Sequence, residues 1–89
     1  MNVEYPMIPQ TTLRSLGLYV NKGITPGGFL YSVLSNDLFG AIAKADSANG
    51  AAIREICIYI YNELPSDCWG SREVVNKYLS NKMLALDSV

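Results

Sequence analysis

The chain has 89 residues, 49% of them hydrophobic and 17% charged, and its seven Lys and Arg against eight Asp and Glu leave a net charge of -1. A chain of this length makes one domain, spanning 1–89, near the lower end of what folds unaided. With no basic stripe it cannot grip DNA or RNA polymers by neutralising their phosphates, so polymer-coating roles are excluded. A small ligand with one or two phosphates needs only two or three well-placed cations and stays within reach.

Mean hydropathy is +0.14, whereas a domain this small buries only a little over ~60% of the surface its unfolded chain exposes. The expected remedy is a shared interface, hence an oligomer; a monomer with an apolar binding groove is the alternative. Cys57 lies in the apolar run Ile53 to Ile60 and reads as a small buried hydrophobe, and Cys68 falls in a loop. Two cysteines without CxxC spacing suggest neither a disulfide framework nor zinc. The absence of histidine removes the commonest general base and metal ligand together. Neither a Ser-His or Cys-His pair nor a carboxylate dyad is present, so the expectation is no catalytic residue, no metal and no cofactor. Met1 to Pro6 has neither the basic start nor the apolar core of a signal peptide. No apolar stretch approaches the ~18 residues of a membrane span. The expected location is the cytosol.

In chain order, residues 1–10 carry Pro6 and Pro9 and are expected to be extended or loosely ordered. Thr11 or Thr12 can cap a first helix with Leu13, Leu16 and Val20 on one face and Gly23 as its stop. Thr25 is a good N-cap and Pro26 suits a first helical position, so a second helix is expected over 27–46. Its stripe is Phe29, Val33, Leu34, Leu38 and Ile42, widened by Leu30, Ala41 and Ala45. Asp46 to Gly50 is a turn or a kink in one longer helix, with Asn-Gly favouring the turn. A third helix is expected over 51–63, burying Ile53, Ile56, Cys57, Ile60 and Leu64. The run Ile56 to Tyr61 has strand-like composition, but its spacing and the Ala-rich start favour a helix, which Pro65 ends. After a loop through Trp69 and Gly70, Ser71 caps a last helix over 72–80 with Val74, Val75, Tyr78 and Leu79 packing inward. Residues 82–89 show no clear pattern. The fold class is all-α, a compact oligomeric bundle of three to four short helices.

Two helix starts could receive an anion. At Thr25-Pro26-Gly27-Gly28, free amides and the positive end of the helix dipole attract negative charge, and glycines let a ligand approach the backbone closely. Lys22 adds a cation nearby, and Tyr19 and Tyr31 offer rings for base stacking. A well-capped helix start with glycines chosen for packing explains the same residues. At Trp69-Gly70-Ser71-Arg72, the guanidinium fork of Arg72 suits phosphate oxygens; the plainer role is a Trp anchoring the loop to the core. Asn36, Asp37, Asp46 and Asn49 could hold a metal or a subunit salt bridge, and capping or turn formation accounts for them more simply.

The order of these motifs carries more than any one of them. Gly23-x-x-Pro26-Gly27-Gly28-Phe29-Leu30 is followed by Val33-Leu34-x-Asn36-Asp37-Leu38 and Ala45-Asp46-x-x-Asn49, then by Tyr61-Asn62-x-x-Pro65 and Trp69-Gly70-Ser71. Over residues 13–79 this series resembles the anti-CBASS cyclic-oligonucleotide sponges of tailed phages. The resemblance implies a hexamer of short helical protomers that traps immune second messengers uncut. It implies cyclic dinucleotides held between paired subunits and cyclic trinucleotides where three subunits meet, in an infected bacterial cell. It further implies backbone contacts from Thr25, Gly27 and Gly28, base stacking by Tyr19 and Tyr31, and phosphate contacts from Lys22 and Arg72. The alternative is a protein–protein interaction module that docks a host protein through an apolar helix face.

Overall fold

A computed structural model describes residues 5–87, and the side chains of residues 5–84. The described part of the chain is all-helical, as expected, and contains no strand. Residues 1–4 and 88–89, part of the stretches expected to be loosely ordered, lie outside the described residues. Six α-helices replace the three to four expected: α1 (Gln10–Lys22), α2 (Gly28–Leu34), α3 (Leu38–Lys44), α4 (Ser47–Ala51), α5 (Ile53–Glu63) and α6 (Arg72–Asp87), with a 3-10 turn at Ser66–Cys68.

Helix α1 starts without the expected threonine cap. Pro9 occupies the N-cap position, and Thr12 is buried with its hydroxyl donating to Asn49 Oδ1 at 2.5 Å. The stop at Gly23 is as expected. Gly23 adopts φ 67°, and its amide and that of Ile24 donate to Tyr19 O and Leu18 O, satisfying carbonyls that the helix end leaves unpaired. A Cβ at Gly23 would overlap the Lys82 side chain, so α6 crosses the end of α1 at a distance only glycine permits. The next carbonyl, Val20 O, accepts from the Tyr78 hydroxyl at 2.7 Å.

The single helix expected over 27–46 does not form. The chain stays extended through Gly27, so Thr25 is an exposed linker residue and caps nothing, while Pro26 is buried. Glycines cost about 1 kcal/mol each inside a helix, which delays its start to Gly28. The helix then ends after about two turns because Asn36 takes φ 64°. The Asn36 amide donates to Val33 O and the Asp37 amide to Ser32 O at 2.8 Å, closing α2, and the Asp37 carboxylate accepts the Gly40 amide at 3.0 Å to open α3. Asn and Asp compete for backbone bonds in this way, which makes them better at ending and starting helices than at continuing them. The turn swings the expected stripe apart. Leu30 and Leu34 are buried and Phe29 and Val33 partly so, but Leu38 and Ile42 are exposed, together with Phe39 at 86%.

Asp46 to Gly50, read as a turn, forms most of the short helix α4, with Asp46 accepting the Asn49 amide at 2.8 Å. Helix α5 ends before Pro65 as expected, with Ala52, Ile56 and Ile60 facing the core. Cys57 is exposed, contrary to expectation, because it sits a quarter-turn from that face; Cys68, placed in a loop, is fully buried. Ser71 Oγ accepts the Val74 amide at 3.1 Å and caps α6 as expected, but the helix runs past 80 to Asp87. At the other end Tyr5 and Ile8 are buried; Tyr5 donates to Glu63 and sets its ring edge-on to Tyr59, centroids 4.9 Å apart. The core gathers Tyr5, Ile8, Leu16, Tyr19, Leu30, Leu34, Ala52, Ile56, Ile60, Cys68 and Val75. Helix α3 packs on α2 outside this cluster.

Two glycines of α1 should respond oppositely to alanine. Gly17 is mid-helix with open space for 4 Å around the position a Cβ would take, so Gly17→Ala should stabilise by about 0.5–1 kcal/mol. Gly23→Ala forces a left-handed alanine against Lys82 and should cost at least about 1–2 kcal/mol. Urea unfolding of both variants checks the pair; an unchanged midpoint for Gly23→Ala would contradict the close crossing of α1 and α6.

Candidate functional site

The expected site residues separate into those the fold brings together and those it does not. Tyr19 is a core residue with 0% exposure. Its hydroxyl donates to Cys68 O at 2.7 Å and its ring lies 5.2 Å from that of Tyr78, so no ring face is open to a base. Burial, reinforced by Cys68 and Tyr78, pushes its ionisation well above the usual tyrosine range. Lys22 is exposed in the last turn of α1, where a cation favours the helix dipole. Thr25 is exposed in the linker.

Gly27 and Gly28 line a cleft of about 260 Å³ with Thr11, Thr12, Ser15 and Asn49. A Cβ on Gly28 would sit 3.1 Å from Cδ of Lys44, whose ammonium donates to Ser32 Oγ at 3.3 Å. Gly27 has open space beside it. Tyr31, one turn along α2 from Gly28, donates its hydroxyl to Asn76 Oδ1 at 2.8 Å and carries the Arg72 guanidinium 5.6 Å from its ring centroid. Arg72 is exposed and also donates to Asp37 Oδ2 at 3.3 Å.

Lys44 from α3 and Arg72 from α6 therefore reach adjoining faces of α2, and Asp37 lies within the influence of both. The Asp37 carboxyl is held below its usual range, chiefly by the Gly40 amide, against a partial desolvation working the other way, and further by Arg72 and Lys44. Lys44 was not legible from the sequence as a site residue. It reaches Gly28 and Ser32 only because the Asn36 turn folds α3 back along α2. Asp37 and Asp46 cap helices and Asn49 accepts from Thr12, which accounts for the acidic and amide residues considered as metal ligands. Among the described residues no three His, Cys, Asp or Glu side chains cluster to hold a metal, and no helix is long and apolar enough to cross a membrane.

A cavity of about 470 Å³ opens elsewhere, between the end of α2, the outer face of α5 and the Trp69 loop. Val33, Ile58 and Ile60 supply apolar wall, Tyr61 and Trp69 set their rings 5.7 Å apart at 56°, and Asn36, Asn62 and Cys57 complete the lining. The Gly70 amide donates to Leu34 O at 2.7 Å and ties the Trp69 loop to the end of α2.

No protein-family model, curated protein or solved structure matches the chain.

The two thiols differ in their surroundings. Cys68 is buried, donates to Pro65 O at 3.1 Å and has its thiol pushed up to about 11 by burial and by Asp67. Cys57 lies at the surface, its thiol raised by its apolar neighbours. Iodoacetamide at mildly alkaline pH should label Cys57 and spare Cys68 until the chain unfolds, as mass mapping would reveal. Tyr19 and Cys68 keep their protons to higher pH folded than unfolded. Their contribution to stability is complete well below pH 9, where both states are protonated; because the unfolded chain releases its protons first, the Cys68 part is lost as pH climbs through about 11 and the Tyr19 part at higher pH still. The urea midpoint should be flat near neutrality and fall above about pH 9; a rise there would contradict the buried pair.

Proposed function

We propose that the chain is a non-catalytic binding protein that sequesters cyclic oligonucleotides, cyclic dinucleotides first and cyclic trinucleotides with them, and returns them uncut. In this reading it serves a phage within the infected cell by denying a CBASS effector its signal. The observation that carries the proposal is the convergence of Lys44 and Arg72 on α2, beside the accessible Gly27-Gly28 backbone and the ring of Tyr31. A cyclic dinucleotide is a compact dianion bearing two flat bases. It asks for a few cations, close backbone approach and aromatic faces, and needs neither a basic stripe nor a general base. Asp37 competes for Arg72, but an exposed ion pair is weak, and a phosphodiester can take the guanidinium from it. In the hexamer that the resemblance over residues 13–79 implies, cations from neighbouring subunits would add to these two.

A second reading has its own observation. Leu38, Phe39 and Ile42 project from α3 at 61%, 86% and 53% exposure, the kind of apolar helix face that docks another protein. A docking module of that sort would ignore nucleotides.

Thermal unfolding separates the two. Stabilisation by a ligand grows with the logarithm of its free concentration and reaches about 2.7 kcal/mol at a hundred times Kd, a rise on the order of 10 °C for a domain of this size. Cyclic di- and trinucleotides should produce it, linear AMP and GMP should not, and the ligand should be recovered intact. Gly27→Ala, which meets nothing in the free protein, should leave the unliganded Tm in place and abolish the rise. Arg72→Ala should also abolish it. No rise with any cyclic ligand at high micromolar concentration would sink the proposal and leave the docking module.

A further inference from the structure

The geometry points to the cavity between α2, α5 and the Trp69 loop as a site for an adenine base, with Tyr61 and Trp69 as its stacking rings and the amides of Asn36 and Asn62 as its edge-reading groups. The inference rests on the nucleotide-binding reading and moves its base-recognition element away from Tyr19, which is buried. Four observations lead there. At about 470 Å³ the cavity has the size of a small-molecule site and holds a nucleoside with room to spare. Its aromatic side is open, with Tyr61 73% exposed and its ring tilted 56° against that of Trp69 at 5.7 Å, so a flat base can stack on one ring and meet the other at its edge without unpacking the core.

The polar complement of the cavity then narrows the ligand. No charged residue lines it among the described residues, so it offers nothing to a phosphate and suits a neutral group. The indole nitrogen of Trp69 is buried and does not face the open cavity to read a ligand. Recognition is left to two carboxamides. Asn36 makes no side-chain hydrogen bond among the described residues, and Asn62 spends only one amide hydrogen, on Tyr5 Oη at 3.4 Å. A carboxamide presents one acceptor beside one donor, the match for the amino group and N7 of adenine. Guanine presents two acceptors along the same edge and is read best by Arg or Lys, and neither lines this cavity.

The cavity also adjoins the turn that a cation reaches: Asn36 lines it, and Arg72 contacts the next residue, Asp37, at 3.3 Å.

Trp69 is the only tryptophan of the chain, which makes its fluorescence a reporter of this one cavity. The experiment titrates the full-length protein with adenosine, guanosine, cyclic di-AMP and cyclic di-GMP, reading Trp69 emission and Tm together. Adenosine should quench Trp69 saturably, with guanosine weaker by at least about ten-fold. Tyr61→Ala should weaken adenosine on the order of ten-fold, and Asn62→Ala should narrow the preference over guanosine, both at exposed positions where the helical circular-dichroism spectrum stays that of the parent. Equal quenching by the two nucleosides, or quenching untouched by both variants, overturns the assignment. A Tm rise with cyclic di-AMP and unchanged Trp69 emission also overturns it while leaving the sponge reading intact. Quenching by adenosine without a Tm rise from any cyclic dinucleotide upholds the base site and removes the sponge. Trp69 emission that follows protein concentration in the absence of ligand means a second copy fills the cavity, and the assignment falls.

Discussion

Asn36, with its positive φ, and Asp37 behind it determine how the outer half of this molecule is arranged. The Asn36 turn closes α2 by returning two amides to its last carbonyls, and Asp37 opens α3 by capping it. The reversal lays Lys44 back along α2 against Gly28 and Ser32. It places the Asp37 carboxylate where Arg72 of α6 can reach it, and it leaves one wall of the large cavity at Asn36. Had the helix continued straight through residue 46, none of these meetings would occur. The closing requires close approach as well. A Cβ on Gly40 would overlap the Asp37 carboxylate, so the residue donating to the cap must be glycine for the cap to fit.

The inner half depends on buried tyrosine hydroxyls. Tyr19 and Tyr78 bury most of their rings and deliver their protons to the Cys68 and Val20 carbonyls, joining α1, the 3-10 turn and α6. An unpaired buried hydroxyl would cost about 1–3 kcal/mol, so each ring is useful to the core only in the geometry that satisfies its oxygen. The arrangement uses apolar area economically in a chain too short to enclose all it has. What remains outside includes Leu38, Phe39 and Ile42 on α3, Tyr61 on α5, Met83 and Leu84 on α6, and Met7 and Ile24 apart from them. Apolar surface gathered as on α3 is the ordinary mark of contact with another molecule.

Much of the fold was readable from spacing and punctuation. The stops at Gly23 and Pro65, the Ser71 cap and the inward face of α5 at Ile56 and Ile60 follow from glycine, proline, a capping hydroxyl and helical periodicity. The failures share a cause. Phe29 to Ile42 has flawless helical spacing, and two short polar residues in its middle outweighed it through local backbone bonds. Thr25-Pro26 has the composition of a helix start, yet the glycines after it postponed the helix. Of the proposed site residues, Gly27, Gly28, Tyr31 and Arg72 fall on the surface around α2, whereas Tyr19 is lost to the core because stacking rings and core rings look alike in sequence.

By itself, then, the sequence determined that the chain is helical and where α1 and α5 end. These are properties of short segments, fixed by backbone propensity and capping. The tertiary structure alone decided which aromatic rings stay open, which thiol is shielded and which cations gather about Asp37. Those outcomes turn on the direction the chain takes after a reversal, and a change of one residue's φ at Asn36 redirects everything beyond it.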